Sequence, residues 1–84
     1  MNPTETLRHE RRLAGITQAA MAAQLGMSAS FLCQIERGNA QLPEAFLPRL
    51  PDAVRPAVVR AVLRELEDRT VKLRQLLYVE VALQ

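Results

Sequence analysis

Apolar positions recur at helical spacing along most of this chain, in segments separated by proline and glycine. The first segment predicts a helix from Pro3 to Ala14. Asn2 supplies the N-cap, Pro3 sits in the first turn where its missing N–H costs nothing, Glu5 complements the positive helix end, and Gly15 stops the helix. Leu7 and Ala14 are its expected core-facing residues. A second helix, Thr17 to Leu25, begins at Thr17, which caps alone because position 20 is alanine where a capping box would carry glutamate. A third, Ser28 to Arg37, is capped by Ser28 and ended by Gly38. At about 100° per residue, Phe31, Leu32 and Ile35 fall on one side of this helix. Ala29, Ser30, Cys33, Gln34 and Arg37 fall on the other.

After a loop over residues 39–42, Pro43 opens a short fourth helix reaching Leu50, which Pro48 must shorten or distort. Pro51 and Asp52 then break the chain. From Pro56 onward, Val59, Val62, Leu63, Leu66, Thr70, Leu73 and Leu77 share one arc of a helical wheel, while Arg60, Arg64, Glu67, Asp68, Lys72 and Arg74 hold the opposite arc. This predicts an amphipathic helix of about five to six turns. Its N-terminal half is expected to cover the core and its remainder to meet a partner, the alternative being that the whole stripe folds back on its own domain. Arg69 lies at the stripe's margin and Val71 and Val79 fall outside it, which leaves room for a kink at residues 68–70. The alternation from Tyr78 to Leu83 also leaves a terminal strand open beside the helical end.

The middle of this pattern is the informative part. Two helices joined across a turn of two or three residues need a small side chain where they cross and glycine in the turn, and Ala22 and Gly26 occupy those places. The second of the pair then buries one stripe and leaves a face of small and polar side chains able to approach base edges closely. Residues 16–38 therefore read as a helix-turn-helix.

The segment from Leu7 to Leu50 resembles the Cro/C1-type helix-turn-helix repressors, the XRE family. The resemblance is carried by Gln18-Ala19, Ala22, Leu25-Gly26, Ser28, and Leu32 followed by Gln34-Ile35-Glu36-Arg37-Gly38. The run Phe46-Leu47-Pro48-Arg49-Leu50 is similar to the fourth helix of phage repressors of this type. The resemblance implies an all-α, lambda-repressor-like bundle of four to five helices, with residues 1–51 as the DNA-binding core. Residues 52–84 follow as an amphipathic helical dimerisation segment packed with that core as one domain. It implies base reading by Ser28, Ala29, Ser30 and Gln34, and contacts to the DNA backbone by Thr17, Gln18, Arg37 and Asn39. Arg11 and Glu36 match a pair that joins the first and third helices in related repressors. Val59, Val62, Leu63, Leu66, Leu73 and Leu77 are the expected dimer interface.

The chemistry of these side chains agrees. Gln34 can form a paired hydrogen bond with the N6 and N7 edge of adenine, Ala29 can pack on a thymine methyl, and serine can serve several bases. Two departures matter. Position 29 is often long and polar in relatives but is alanine here, which shifts weight toward methyl and shape readout. The loop over residues 39–44 carries no Lys or Arg, so its phosphate contacts would rely on backbone N–H groups.

Composition narrows the rest. Eighty-four residues bury a small core, so association is a natural way to add apolar burial. The formal charge is only +2, and the basic excess is one residue in each half of the chain. Net charge is therefore silent on DNA, and the motif carries that reading. A single cysteine, Cys33, excludes an intrachain disulfide, and its place on the reading face raises an oxidation-sensitive contact as an alternative to a plain helix residue. His9 has no partner cluster. No metal, cofactor or catalytic site is expected, and no run is apolar enough for a membrane span or secretory signal.

The expectation is thus a cytoplasmic repressor of small phage or plasmid type. It would act as a homodimer on a palindromic operator in double-stranded DNA, with contact to polymerase or a second regulator left open. The rival is an antitoxin-like interaction module whose C-terminal stripe wraps another protein, with DNA binding secondary.

Overall fold

In a computed structural model, which describes residues 1–83 in backbone and residues 1–79 in side chains, five helices follow one another. They are α1 (Pro3–Leu13), α2 (Gln18–Leu25), α3 (Ala29–Glu36), a 3-10 helix (Glu44–Arg49) and α4 (Arg55–Leu83). The fold is all-helical, with no strand among the described residues; the alternating segment after Tyr78 continues α4 as far as Leu83.

Local chemistry sets the boundaries. Asn2 Oδ1 accepts from the Glu5 amide at 2.8 Å, Thr17 Oγ1 from the Ala20 amide at 3.1 Å, and Ser28 Oγ from the Phe31 amide at 3.0 Å. Each cap satisfies one of the donors that a helix start leaves without an intrahelical partner. All three short α-helices end alike. The residue after the glycine donates back five positions, Ile16 to Arg11, Met27 to Ala22 and Asn39 to Gln34, closing a Schellman motif.

That motif corrects the expected role of Ala14. The helix stops at Leu13, Ala14 is exposed, and the chain reversal turns Ile16 onto the core instead. The buried residues of α1 are Thr6, Leu7 and Arg11. The fourth helix is 3-10 rather than α, because Pro48 has no N–H to donate and disfavours α geometry at Leu47. Phe46 donates to Pro43 at 3.0 Å and Leu50 to Leu47 at 3.2 Å.

Leu7, Met21, Ala22, Leu25, Leu32, Ile35, Leu50, Val54 and Val58 form one buried cluster. Full burial of each larger aliphatic side chain favours folding by about 1.5–3 kcal/mol. Helix α1 packs against α3 and α4, α2 against α3 and the 3-10 helix, and the 3-10 helix against α4.

Helix α4 departs from expectation in length and in the face it buries. It runs unbroken through residues 68–70 for 29 residues, about 43 Å at 1.5 Å per residue, in a molecule 55 Å long. The positions it gives to the core are Val54, just before its first turn, then Val58 and Ala61, rather than the predicted arc. From that arc Val59 and Val62 are half-buried in their own chain. Leu63, Leu66, Leu73 and Leu77 are 50%, 42%, 57% and 62% exposed.

Candidate nucleic-acid interface

Helix α3 is divided lengthwise. Leu32, Ile35 and Glu36 are buried and Phe31 packs partly on the core, while Ala29, Ser30, Gln34 and Arg37 are exposed. Cys33 lies between the two faces, half-buried and with a free thiol. Ser28 is exposed at the N-cap; its hydroxyl oxygen accepts from the Phe31 amide through one lone pair, and the other lone pair and the proton remain free.

Gln34 is not a free side chain. Its Oε1 accepts from Asn39 Nδ2 at 3.1 Å, and the Asn39 amide donates to the Gln34 carbonyl at 2.9 Å. The Schellman turn at the end of α3 thus folds Asn39 back alongside Gln34. The side-chain bond leaves the Gln34 amide N–H groups and one oxygen lone pair outward, the donor and acceptor that a paired contact to a base edge uses. Sequence reasoning placed the two residues in different roles and missed their contact, which requires the five-residue reversal to be known.

Arg11 and Glu36 are joined by a two-pronged ion pair. Arg11 Nε donates to Glu36 Oε2 at 2.7 Å and Arg11 Nη2 to Glu36 Oε1 at 2.9 Å. A third bond runs from Arg11 Nη1 to the Ile16 carbonyl at 2.7 Å. Gln18 adds to the same network, its Nε2 donating to Glu36 Oε1 at 3.0 Å. One arginine therefore ties α1 to α3 and to the turn before α2, and Gln18 ties α2 to α3. Burial pushes the Glu36 carboxyl up, but the Arg11 and Gln18 hydrogen bonds and the charges of Arg11 and Arg12 outweigh it and hold the group below its ordinary value. No buried side-chain polar atom among the described residues lacks a partner.

The Gln18 contact changes its expected part. One of its two amide hydrogens is committed to Glu36, and the other is left uncommitted at the start of α2. Thr17 is exposed beside it with its hydroxyl oxygen in the cap. Arg37 and Asn39 are exposed at the opposite end of α3. The N-terminal end of α2 and the exposed side of α3 are held by one buried network, while the α4 leucines stand apart from it.

A second lock escaped the sequence reading. Arg49 Nη1 donates to the Leu25 carbonyl at 3.1 Å, Gln24 Nε2 returns a bond to the Arg49 carbonyl at 3.2 Å, and the guanidinium lies 5.8 Å from the Phe46 ring centroid. Arg49 thereby satisfies a carbonyl at the end of α2 and holds the helix-turn-helix to the 3-10 helix. Gly26 makes room for it: φ is +75° there, and a Cβ would stand 2.8 Å from Arg49 Nη1. The orphan carbonyls at a helix end are predictable, but their long-range donor is not.

No helix among the described residues is long and apolar enough to cross a membrane. A family model described as a helix-turn-helix domain matches residues 4–67. No curated protein and no solved structure matches the chain.

Proposed function

The chain belongs to the helix-turn-helix domain family, a DNA-binding family, and on that premise we propose that it is a sequence-specific transcriptional repressor of the Cro/C1 (XRE) type. In this reading it binds a palindromic operator as a homodimer and represses by occluding a promoter, as a small phage or plasmid regulator working in the cytoplasm. It needs no cofactor, metal or catalytic step.

The observation that supports it most is the division of α3, whose inward face is locked by Leu32, Ile35 and the Arg11–Glu36 pair while small and polar groups line the outward face. Ser28, Ala29, Ser30 and Gln34 contact base edges in the major groove. Thr17, Gln18, Arg37 and Asn39 contact the phosphate backbone and set the register. Homodimerisation is supported by the exposed leucines of α4, since an exposed apolar stripe on a small protein marks an interaction surface. Two-fold symmetry then gives half-sites about 34 Å, one helical turn, apart.

Selection of bound duplexes from a randomised pool, with Gln34→Ala run in parallel, tests the reading. An enriched inverted repeat that loses preference at one symmetric base pair in the variant is the expected result. No enrichment refutes it and favours the antitoxin-like rival, in which an unlike protein covers the same α4 stripe. Leu73→Asp separates the two further: it should give a folded monomer with weakened operator binding.

A further inference from the structure

The exposed residues of α4 carry a stricter order than one apolar arc. Leu63, Leu66, Thr70, Leu73 and Leu77 are spaced alternately three and four apart, the a and d seam of two successive heptads, on a helix that projects beyond the core. Thr70 breaks the apolar run without an unmet donor, because its hydroxyl donates to the Leu66 carbonyl at 2.8 Å. The residues flanking this seam are Glu67 and Arg74 on one side and Val62, Arg69 and Leu76 on the other.

Resting on the homodimer reading above, we infer that two copies of α4 pair antiparallel, centred between residues 71 and 72. Leu66 then packs against the partner's Leu77 and Thr70 against the partner's Leu73. The flanking charges decide the direction. Antiparallel pairing brings like flanks together, so Glu67 meets the partner's Arg74, and symmetry repeats that attraction. The stem of Arg69 lies along the partner's Leu76. Parallel pairing would bring opposite flanks together and set Arg69 against the partner's Arg74, a repulsion that symmetry also repeats. Glu67 would then face the partner's Val62 and offset nothing.

Two further observations agree with the antiparallel register. An open groove of about 590 Å³ between the chain start, the 38–44 loop and α4, lined by Pro3, Leu42, Pro43, Val62, Leu66 and Arg69, is continuous with the seam through Leu66. The end of the partner's α4 falls beside this groove. Ala61, the last buried position of α4, lies ten to eleven residues from the centre, so the near edges of the two cores stand about 32 Å apart along the helix pair at 1.5 Å per residue, which leaves the seam between them free for the partner helix.

Sedimentation equilibrium of the full chain tests the orientation through Arg74→Glu, an exposed position whose folding is checked by circular dichroism. The antiparallel pair predicts a dimer dissociation constant raised on the order of tenfold, as two attractions become repulsions, and restored in Glu67→Arg/Arg74→Glu. A parallel pair predicts the opposite sign, since Arg69 would gain a carboxylate partner. Tightening, or no change, overturns the inference and leaves the homodimer standing. A wild-type chain that stays monomeric overturns both. Cross-linking gives a second readout in a Cys33→Ser background. Thr70→Cys and Leu73→Cys chains should form disulfides when mixed and not alone; homotypic cross-links would overturn the register.

Discussion

Arg11→Ala is the sharpest test of how this fold is held. The substitution removes three hydrogen bonds at once, two to the Glu36 carboxylate and one to the Ile16 carbonyl. Glu36, 5% exposed in the intact protein, is left with only the Gln18 bond at 3.0 Å. A buried carboxylate stripped of its cation costs about 3–5 kcal/mol, because its desolvation is no longer offset. Folding stability per residue is about 0.05–0.15 kcal/mol, so for this chain the loss is a large fraction of the whole. At about 4–8 °C per kcal/mol for a domain of this size, the melting midpoint should fall by at least ~12 °C. Thermal and urea melts followed by circular dichroism measure it, at one fixed protein concentration because dimerisation shifts apparent stability. The companion variant Arg11→Met/Glu36→Met should recover more than half of the loss, since it removes the charge that would be left unpaired. A loss for Arg11→Ala below about 1 kcal/mol, the range of exposed ion pairs, would refute the reasoning. So would a double variant no better than the single one.

The same pair gives a pH dependence. Glu36 is held below its ordinary value in the folded state, so its contribution is complete above the unfolded carboxylate value of about 4.3 and is lost as pH falls through the lowered one. The stability gap between wild type and Arg11→Ala should therefore narrow from pH 7 to pH 3 in urea titrations; a constant gap would count against it. Gly26→Ala should cost about 1–2 kcal/mol for the left-handed backbone alone, with the close approach of Arg49 adding to it. Urea denaturation checks this, and a loss under ~0.3 kcal/mol contradicts it. Asn39→Ala should leave the melting midpoint nearly unchanged and weaken binding to the selected duplex at least about fivefold, the equivalent of one hydrogen bond of about 1 kcal/mol that orients Gln34, with the lost phosphate contact of Asn39 adding to it. Equal affinity of the two proteins would show that Gln34 does not depend on Asn39.

What the sequence determined by itself is local. Asn2, Thr17 and Ser28 cap the helices predicted for them, and Gly15, Gly26 and Gly38 end those helices, because caps and left-handed turns involve only residues a few positions apart. The helix-turn-helix between residues 16 and 38 was legible for the same reason: its turn and its crossing residue lie within one short segment. Proline at position 48 announced a distorted helix, and the 3-10 geometry is the form that distortion takes.

What only the tertiary structure decided is long-range. Gln18 carried no signal for its bond to Glu36 at 3.0 Å, 18 positions away, nor Arg49 for its bond to the Leu25 carbonyl, 24 positions away. Helix α4 shows the limit most clearly. Its wheel offers a long apolar arc through Leu66, Leu73 and Leu77, while the face through Val58 and Ala61 continues into Glu65, Asp68 and Lys72, so hydrophobicity alone points to the leucine arc as the one to bury. The choice fell to geometry. The turn from Leu50 through Arg55, tied by the bonds of Arg55 to the Leu50 carbonyl and to Asp52, sets the rotation at which the helix leaves the 3-10 segment. That rotation turns Val54, Val58 and Ala61 onto the core and leaves the leucine seam facing away from it.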